Sequence, residues 1–488
     1  MARLPLFLFA LAACFLQACR HDTPKPLQPS APAQGDNYPE TISKIFIGKC
    51  ATAGCHNASS YENAGGLLLD SWDHLFDGSN SGAVVVPYDI ENSSLLYFIN
   101  THADLGPTST PTMPLDRTPL SREEYTTMRD WIAKGAPDRS GNIPFASNAD
   151  TRQKIYIAHQ GCDLIGVIDG EKKVIMRYVK AGTSLNPETP NYIKTSNDGR
   201  YAYACFWQGD AIQKIDTRTD SMVANALHGS SYWKNLQLSP DGNTLLATNW
   251  ELPATVVFNT STMQFEKSVT GLQYPESIAS GSSGAYYITE RFGNMLCKLL
   301  PNGTIQKISI DGQPLTTTPS PTTPNPYRIL MSKDGSKYFI SCERTNEVRV
   351  FDAQTDALTK VIPVGTMPQE MAWSTSTPYL FVSCLNDTVS TGVVGTVYAI
   401  NYNTYETKKI EGKFFQPHGI AVDDRNDALY VFSRNQDKAG PSPHHSSSCN
   451  GRNGFYNIIR LSTLQPYNNK RYEISVDPYS ADPRFKYP

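Results

Sequence analysis

Two rhythms of apolar residues divide this 488-residue chain. Between about Tyr38 and Ser140 the apolar positions recur at helical spacing. Ile42, Ile45 and Phe46 predict a short amphipathic helix leading to Cys50. Leu95 to Ile99, preceded by Ser93 and Ser94, predict a second. A third is bounded at both ends: Ser121 and Glu124 form a capping box, Tyr125, Met128, Trp131 and Ile132 make the buried stripe, and Gly135 followed by Pro137 stops it. Three short helices joined by long loops bury too little to fold well alone, so this unit needs something else at its centre.

From Lys154 onward the pattern is that of strands, repeating every ~40 to 50 residues, the period of four-stranded propeller blades. One strand of each unit recurs seven times, as in Ile155 to Ala158, Tyr201 to Cys205, Leu245 to Asn249, Tyr286 to Thr289, Tyr338 to Cys342, Leu380 to Cys384 and Leu429 to Ser433. The next strand repeats as Val167-Ile168-Asp169, Lys214-Ile215-Asp216 and Val350-Phe351-Asp352, and turns such as Ser239-Pro240-Asp241-Gly242 close the hairpins. Innermost strands begin near Pro190, Trp233, Pro275, Pro326, Pro368 and Pro417. The seventh must come from a chain end, either Ile143 to Ala149 or the tail after Tyr472, to close the ring. The expected fold is multidomain: a small all-α unit over 38–140, a linker over 141–153, and an all-β seven-bladed propeller over 154–488.

Composition narrows the function classes. The net charge of -3 comes without a basic stripe, so no nucleic-acid partner is expected. The 26 tyrosines and abundant Gly and Pro, with few long apolar runs, argue against helical membrane spans in the body. The N-terminus differs: Met1-Ala2-Arg3 precedes an apolar stretch from Leu4 to Leu16, too short for a span and read as an export signal over 1–18. Leu16-Gln17-Ala18-Cys19 resembles a bacterial lipobox, which implies lipid attachment at Cys19, a membrane anchor, and a flexible tether over 19–37. By the sorting pattern of such lipoproteins, Arg20 after the lipidated cysteine implies the outer membrane. The other reading is an ordinary signal peptide with a chance cysteine.

Cys50-Ala51-Thr52-Ala53-Gly54-Cys55-His56 carries the sharpest chemistry. A cysteine pair ending in Cys-His is what covalent attachment of c-type haem uses: the thiols add to the vinyl groups and the imidazole becomes the proximal ligand. The usual spacing is two residues between the cysteines; here it is four. Around this motif, Phe46, Gly65-Gly66-Leu67, Leu69-Asp70, Val86-Pro87, Ser94-Leu95, Met113-Pro114, Leu120-Ser121, Glu124 and Trp131 to Ala136 together resemble the planctomycete-type cytochrome c domain. The resemblance implies one haem c held by Cys50 and Cys55, with His56 as proximal ligand and Met113, in a stiff Met-Pro loop, as distal ligand. His74 and His102 are the competitors for the distal position. A Cys50–Cys55 disulfide is the alternative for the cysteines. It leaves His56, the Met-Pro loop and the missing core unexplained. Zinc is weaker, because no second ligand pair follows.

The repeat region resembles YVTN-type propellers over about Lys154 to Leu464. Residues after the inner-strand starts, Tyr192, Lys234, Glu276, Arg328, Glu370 and His418, are expected around a channel mouth, read as a solvated channel or, in the alternative, as a ring that binds a polar ligand or ion. The strand ends supply a second ring, His159, Trp207, Trp250, Arg291, Arg344, Asn386 and Arg434, a candidate face for a small molecule, a glycan or a protein. His444, His445 and Cys449 sit in an insertion between Gly440 and Asn453, read as a mobile loop or a metal site. No cysteine pairing can be read among Cys162, Cys205, Cys297, Cys342, Cys384 and Cys449; Cys205, Cys342 and Cys384 occupy equivalent strand positions, as buried small hydrophobes would. The expected function is an exported, lipid-anchored, mono-haem electron carrier whose propeller docks a redox partner or ligand, more a carrier than a catalyst. The alternatives are a propeller redox enzyme that passes substrate electrons to the haem, and a haem-free surface binding protein.

Overall fold

The computed structural model describes residues 35–387, 395–436, 440–443, 449 and 451–486. Cys19, the export signal, most of the tether, His444 and His445 lie outside the described residues. No helix among the described residues is long and apolar enough to cross a membrane.

The N-terminal unit holds four short helices, α1 (Glu40–Ile45), α2 (Trp72–Leu75), α3 (Ser94–Ile99) and α4 (Arg122–Ala133). Three are the expected ones; α2 is additional. The first continues directly into a wider helical turn over Phe46–Cys50, which carries the cysteine motif away from the buried Ile42, Ile45 and Phe46. α4 begins as its capping box requires: the Ser121 hydroxyl accepts the Glu124 N–H at 3.2 Å, and the Glu124 carboxylate accepts the Ser121 N–H at 2.8 Å. Its Trp131 meets Phe46 edge-on at 6.0 Å and donates its indole N–H to Pro137. Gly135, at φ +93°, ends the helix where a Cβ would strike the Tyr88 ring at 2.4 Å.

Seven four-stranded antiparallel sheets follow. Blade 1 comprises Lys154–His159, Leu164–Asp169 and Ile175–Lys180, and blades 2 to 7 span 190–227, 233–269, 275–309, 326–363, 368–409 and 417–476. The innermost strand of blade 1 is Pro478–Pro483, paired with Lys154–His159. The tail closes the ring, and Ile143 to Ala149 forms no strand. Closure has a local signature in every blade. The residue just before each innermost strand, Thr189, Tyr232, Tyr274, Asn325, Met367, Gln416 or Asp477, takes a left-handed φ between 51° and 63°. In six of the seven the next residue is proline, whose ring also disfavours a helical predecessor. Asp477-Pro478 repeats the signature, and the structure thereby decides for the tail between the two segments the sequence left open.

Cys162, in a blade 1 loop, is disulfide-bonded to Cys449 in a blade 7 loop, 287 positions away. The bond spans the seam where first and last blades meet, and assigns Cys449 a covalent role in place of a loop or metal role. Cys205, Cys342 and Cys384 are buried unpaired thiols, as expected, and so is Cys297.

Candidate functional site

The helical unit and the seam line a half-open cavity of about 520 Å³, within the ~300–1,000 Å³ common for cofactor pockets. Cys50, Cys55, His56 and Met113 all line it, and Leu67, Val84, Leu95 and Phe98 make much of the rest. The missing core expected from sequence is therefore a real void among apolar walls.

Local bonding sets each of the four groups. The Cys50 carbonyl accepts the His56 N–H at 3.1 Å and the Thr52 carbonyl accepts the Cys55 N–H at 3.0 Å, so the four-residue gap is taken up in tight turns. Cys50 and Cys55 are not bonded to each other. Burial pushes the Cys50 thiol up to about 12, with nearby Cys55 adding to the rise. Ring nitrogen Nδ1 of His56 lies 3.0 Å from the Leu67 carbonyl, which requires the proton on Nδ1 and leaves the Nε2 lone pair available. Burial lowers the imidazole pKa, partly opposed by that hydrogen bond. Met113 also lines the cavity, held by its N–H donating to the Phe98 carbonyl at 2.8 Å, near the end of α3. Lys49, beside Cys50, pairs with the capping Glu124 at 2.6 Å and ties α4 to the cysteine turn.

The competitors are elsewhere. His74 is exposed and bonded to Asp70 at 2.6 Å, and His102 packs near Tyr125; neither lines the cavity. Among the described residues no three of His, Cys, Asp and Glu converge as a bare metal site. Two unpaired thiols, an imidazole with Nε2 unspent and a thioether around a largely apolar void are a donor set that fits a covalently held haem.

Residues 53–114 match the family described as Planctomycete cytochrome C, a span that includes Cys55, His56 and Met113. The helical unit is of the planctomycete cytochrome c type. Behind this unit, residues 149–373 match the family described as Cytochrome D1 heme domain, a stretch covering the three outer strands of blade 1, blades 2 to 5 and the first strand of blade 6. The chain is 23% identical over 231 residues to Antigen Lp49 of Leptospira interrogans, covering 46% of this chain and 50% of that one, so it spans about half the length of this curated relative. Among solved structures, Kuenenia stuttgartiensis hydrazine synthase aligns with TM-score 0.47 at 15% identity, over 60% of this chain and 88% of that one. A functionally unknown protein of Desulfotomaculum acetoxidans aligns with TM-score 0.49 at 11% identity, over 66% and 99%. Both family matches point to haem binding.

The propeller residues singled out by sequence separate into two groups. Trp207, Trp250, Arg344 and Asn386 reach solvent at the strand ends. Trp207 and Trp250 meet edge-on at 5.4 Å, with the Lys234 ammonium over both rings. The others are corrections. His159 is fully buried against Tyr178, its pKa pushed down to about 4 by burial, and cannot present itself to a ligand on the face. Arg291 and Arg434 are committed to ion pairs, Arg291 with Glu343 and Arg434 with Asp477 at 2.6 Å. The expected solvated mouth is instead packed: buried Arg328 forks onto Glu370, and Lys234 faces Glu276 at 3.4 Å. Opposite charges on neighbouring blades neutralise one another where water is excluded. His418 is buried with both nitrogens engaged, Nδ1 on the Tyr479 carbonyl at 2.6 Å and Nε2 on the Tyr327 hydroxyl at 3.0 Å. It has no nitrogen to offer a second haem iron in the channel.

Proposed function

We propose that this chain is an exported, lipid-anchored electron carrier with one c-type haem, and that its propeller docks a redox partner. In this reading Cys50 and Cys55 would hold the haem, and His56 and Met113 would ligate its iron. The observation that carries it is the convergence of these four residues on one cavity, with the His56 Nε2 unspent. When bound, the haem supplies a one-electron iron couple. The chain's part is passive and exact in geometry: the Leu67 carbonyl fixes the imidazole tautomer, the Phe98 carbonyl holds the Met113 loop, and apolar walls exclude water, which favours the reduced, less charged iron. The anchor at Cys19 would keep the carrier on a membrane, for which the lipobox-like sequence is the support, with the outer membrane as the proposed site. The half-buried Trp207 and Trp250, with exposed Arg344 and Asn386 on the same ring of strand ends, support a protein, glycan or small-molecule docking face.

The full-length protein, expressed with a cytochrome maturation system, is expected to give a pyridine haemochrome band and a Cys50-to-His56 peptide heavier by one haem. A colourless protein with an unmodified peptide would sink the proposal and favour a haem-free binding protein. A second reading, a propeller redox enzyme, draws support from the Cytochrome D1 heme domain match. The engaged nitrogens of His418 weigh against a second haem in the channel, so such an enzyme would have to reduce the cytochrome haem directly from substrate.

A further inference from the structure

The cavity is not the helical unit's alone. Ile175 and Tyr178 from the outermost strand of blade 1, with Ile474 and Ser475 from the outermost strand of blade 7 (Tyr472–Val476), line its far side. These four residues stand at the propeller's closing seam and are tied to each other. The Ser475 N–H donates to the Tyr178 hydroxyl at 3.1 Å, and the Ser475 hydroxyl lies 3.3 Å from Cys162 Sγ, one half of the seam disulfide. The helical unit is pinned against the same seam. The Ser81 carbonyl accepts the Glu473 N–H at 2.8 Å, Lys172 pairs with Asp77, the Arg177 guanidinium lies 5.0 Å from the Tyr88 ring centre, and Val86 is buried in the propeller's own core beside Ile155 and Ile175.

Resting on the haem reading above, we propose that the propeller seam is a structural wall of the haem pocket. Tyr178, Ile474 and Ser475 act as positioning residues that shield the cofactor from water and from small iron ligands. Apolar enclosure disfavours the ferric state, and a wall fixed by backbone hydrogen bonds and a disulfide cannot swing away to admit solvent. The propeller then has a role in setting the potential of a cofactor attached to a different unit. Sequence could not reveal this, because the wall residues lie more than a hundred positions from the nearest cysteine of the motif.

The test uses the full-length, haem-loaded protein carrying Tyr178→Ala with Ile474→Ala, compared with wild type and with Leu358→Ser on a remote outer strand. The double variant is expected to shift the ferric/ferrous equilibrium at least tenfold toward ferric, about 59 mV for one electron, and to bind imidazole at the ferric iron at least tenfold more tightly. Leu358→Ser should match wild type. An unmoved potential and imidazole affinity in a folded double variant would overturn the proposal while leaving the haem reading standing; a wild-type chain without a haemochrome band overturns both. Should the double variant not fold, hydrogen exchange decides: against a haem-free Cys50→Ser, Cys55→Ser chain, haem is expected to slow exchange at least tenfold in 175–180 and 472–476, and equal exchange there overturns the wall.

Discussion

At His56 one hydrogen bond decides what the imidazole can do. With Nδ1 committed to the Leu67 carbonyl, Nε2 is the nitrogen left for a ligand, and His56 lines the same cavity as Met113. Met113→Ala is therefore expected to leave the haem covalently attached while lowering its midpoint potential by at least the ~59 mV that a tenfold shift represents, read by redox titration. An unchanged potential would remove Met113 from the iron. The candidate ligands were legible because Cys-His and Met-Pro motifs are local. The histidines of the propeller were not: His159 takes its surroundings from Ser475 and Val476 at the far end of the chain, and His418 from Tyr479 and Tyr327, 61 and 91 positions away.

Among the elements, α4 was read correctly because its stop and start signals are all within a few residues of the helix. Its capping box contributes on the order of 1 kcal/mol, so Ser121→Ala should lower stability by about that much. Glu124→Ala should cost more, since the same carboxylate also pairs with Lys49. Urea unfolding of both variants checks the order; equal losses would mean the Lys49 pair contributes nothing. α2 escaped notice because four residues, Trp72–Leu75, are one turn and cannot show a period. The inner strands were found from their proline starts, yet the seventh was left between two segments because the repeat was counted from whole blades. The left-handed residue before each start, Asp477 included, is what turns the chain into the channel at every blade.

For the whole molecule, the seam joins three things: ring closure, the Cys162–Cys449 bond and the far wall of the cavity. His159 is buried next to it. Burial moves its pKa from an ordinary 6.5 down to about 4, only partly offset by the nearby backbone of Val476 and Ser475. Between those values the unfolded chain takes up a proton that the folded chain refuses. Stability therefore falls as pH drops through this window, by on the order of 3 kcal/mol from this group, and is fully present above it. Unfolding curves from pH 7 to 4 should be steeper for wild type than for His159→Gln; parallel profiles would contradict the buried neutral histidine. Periodicity, capping signals and the cysteine-histidine motif were enough for the two-unit architecture, the seven repeats and the candidate haem attachment, with Met113 added by the family resemblance, because each of these signals is encoded within a few residues of chain. The closing strand, the seam disulfide, the neutralised channel and the propeller's share of the cavity were decided only by tertiary structure. Each pairs residues far apart in sequence, and neither their distance nor their burial exists until the ring has closed.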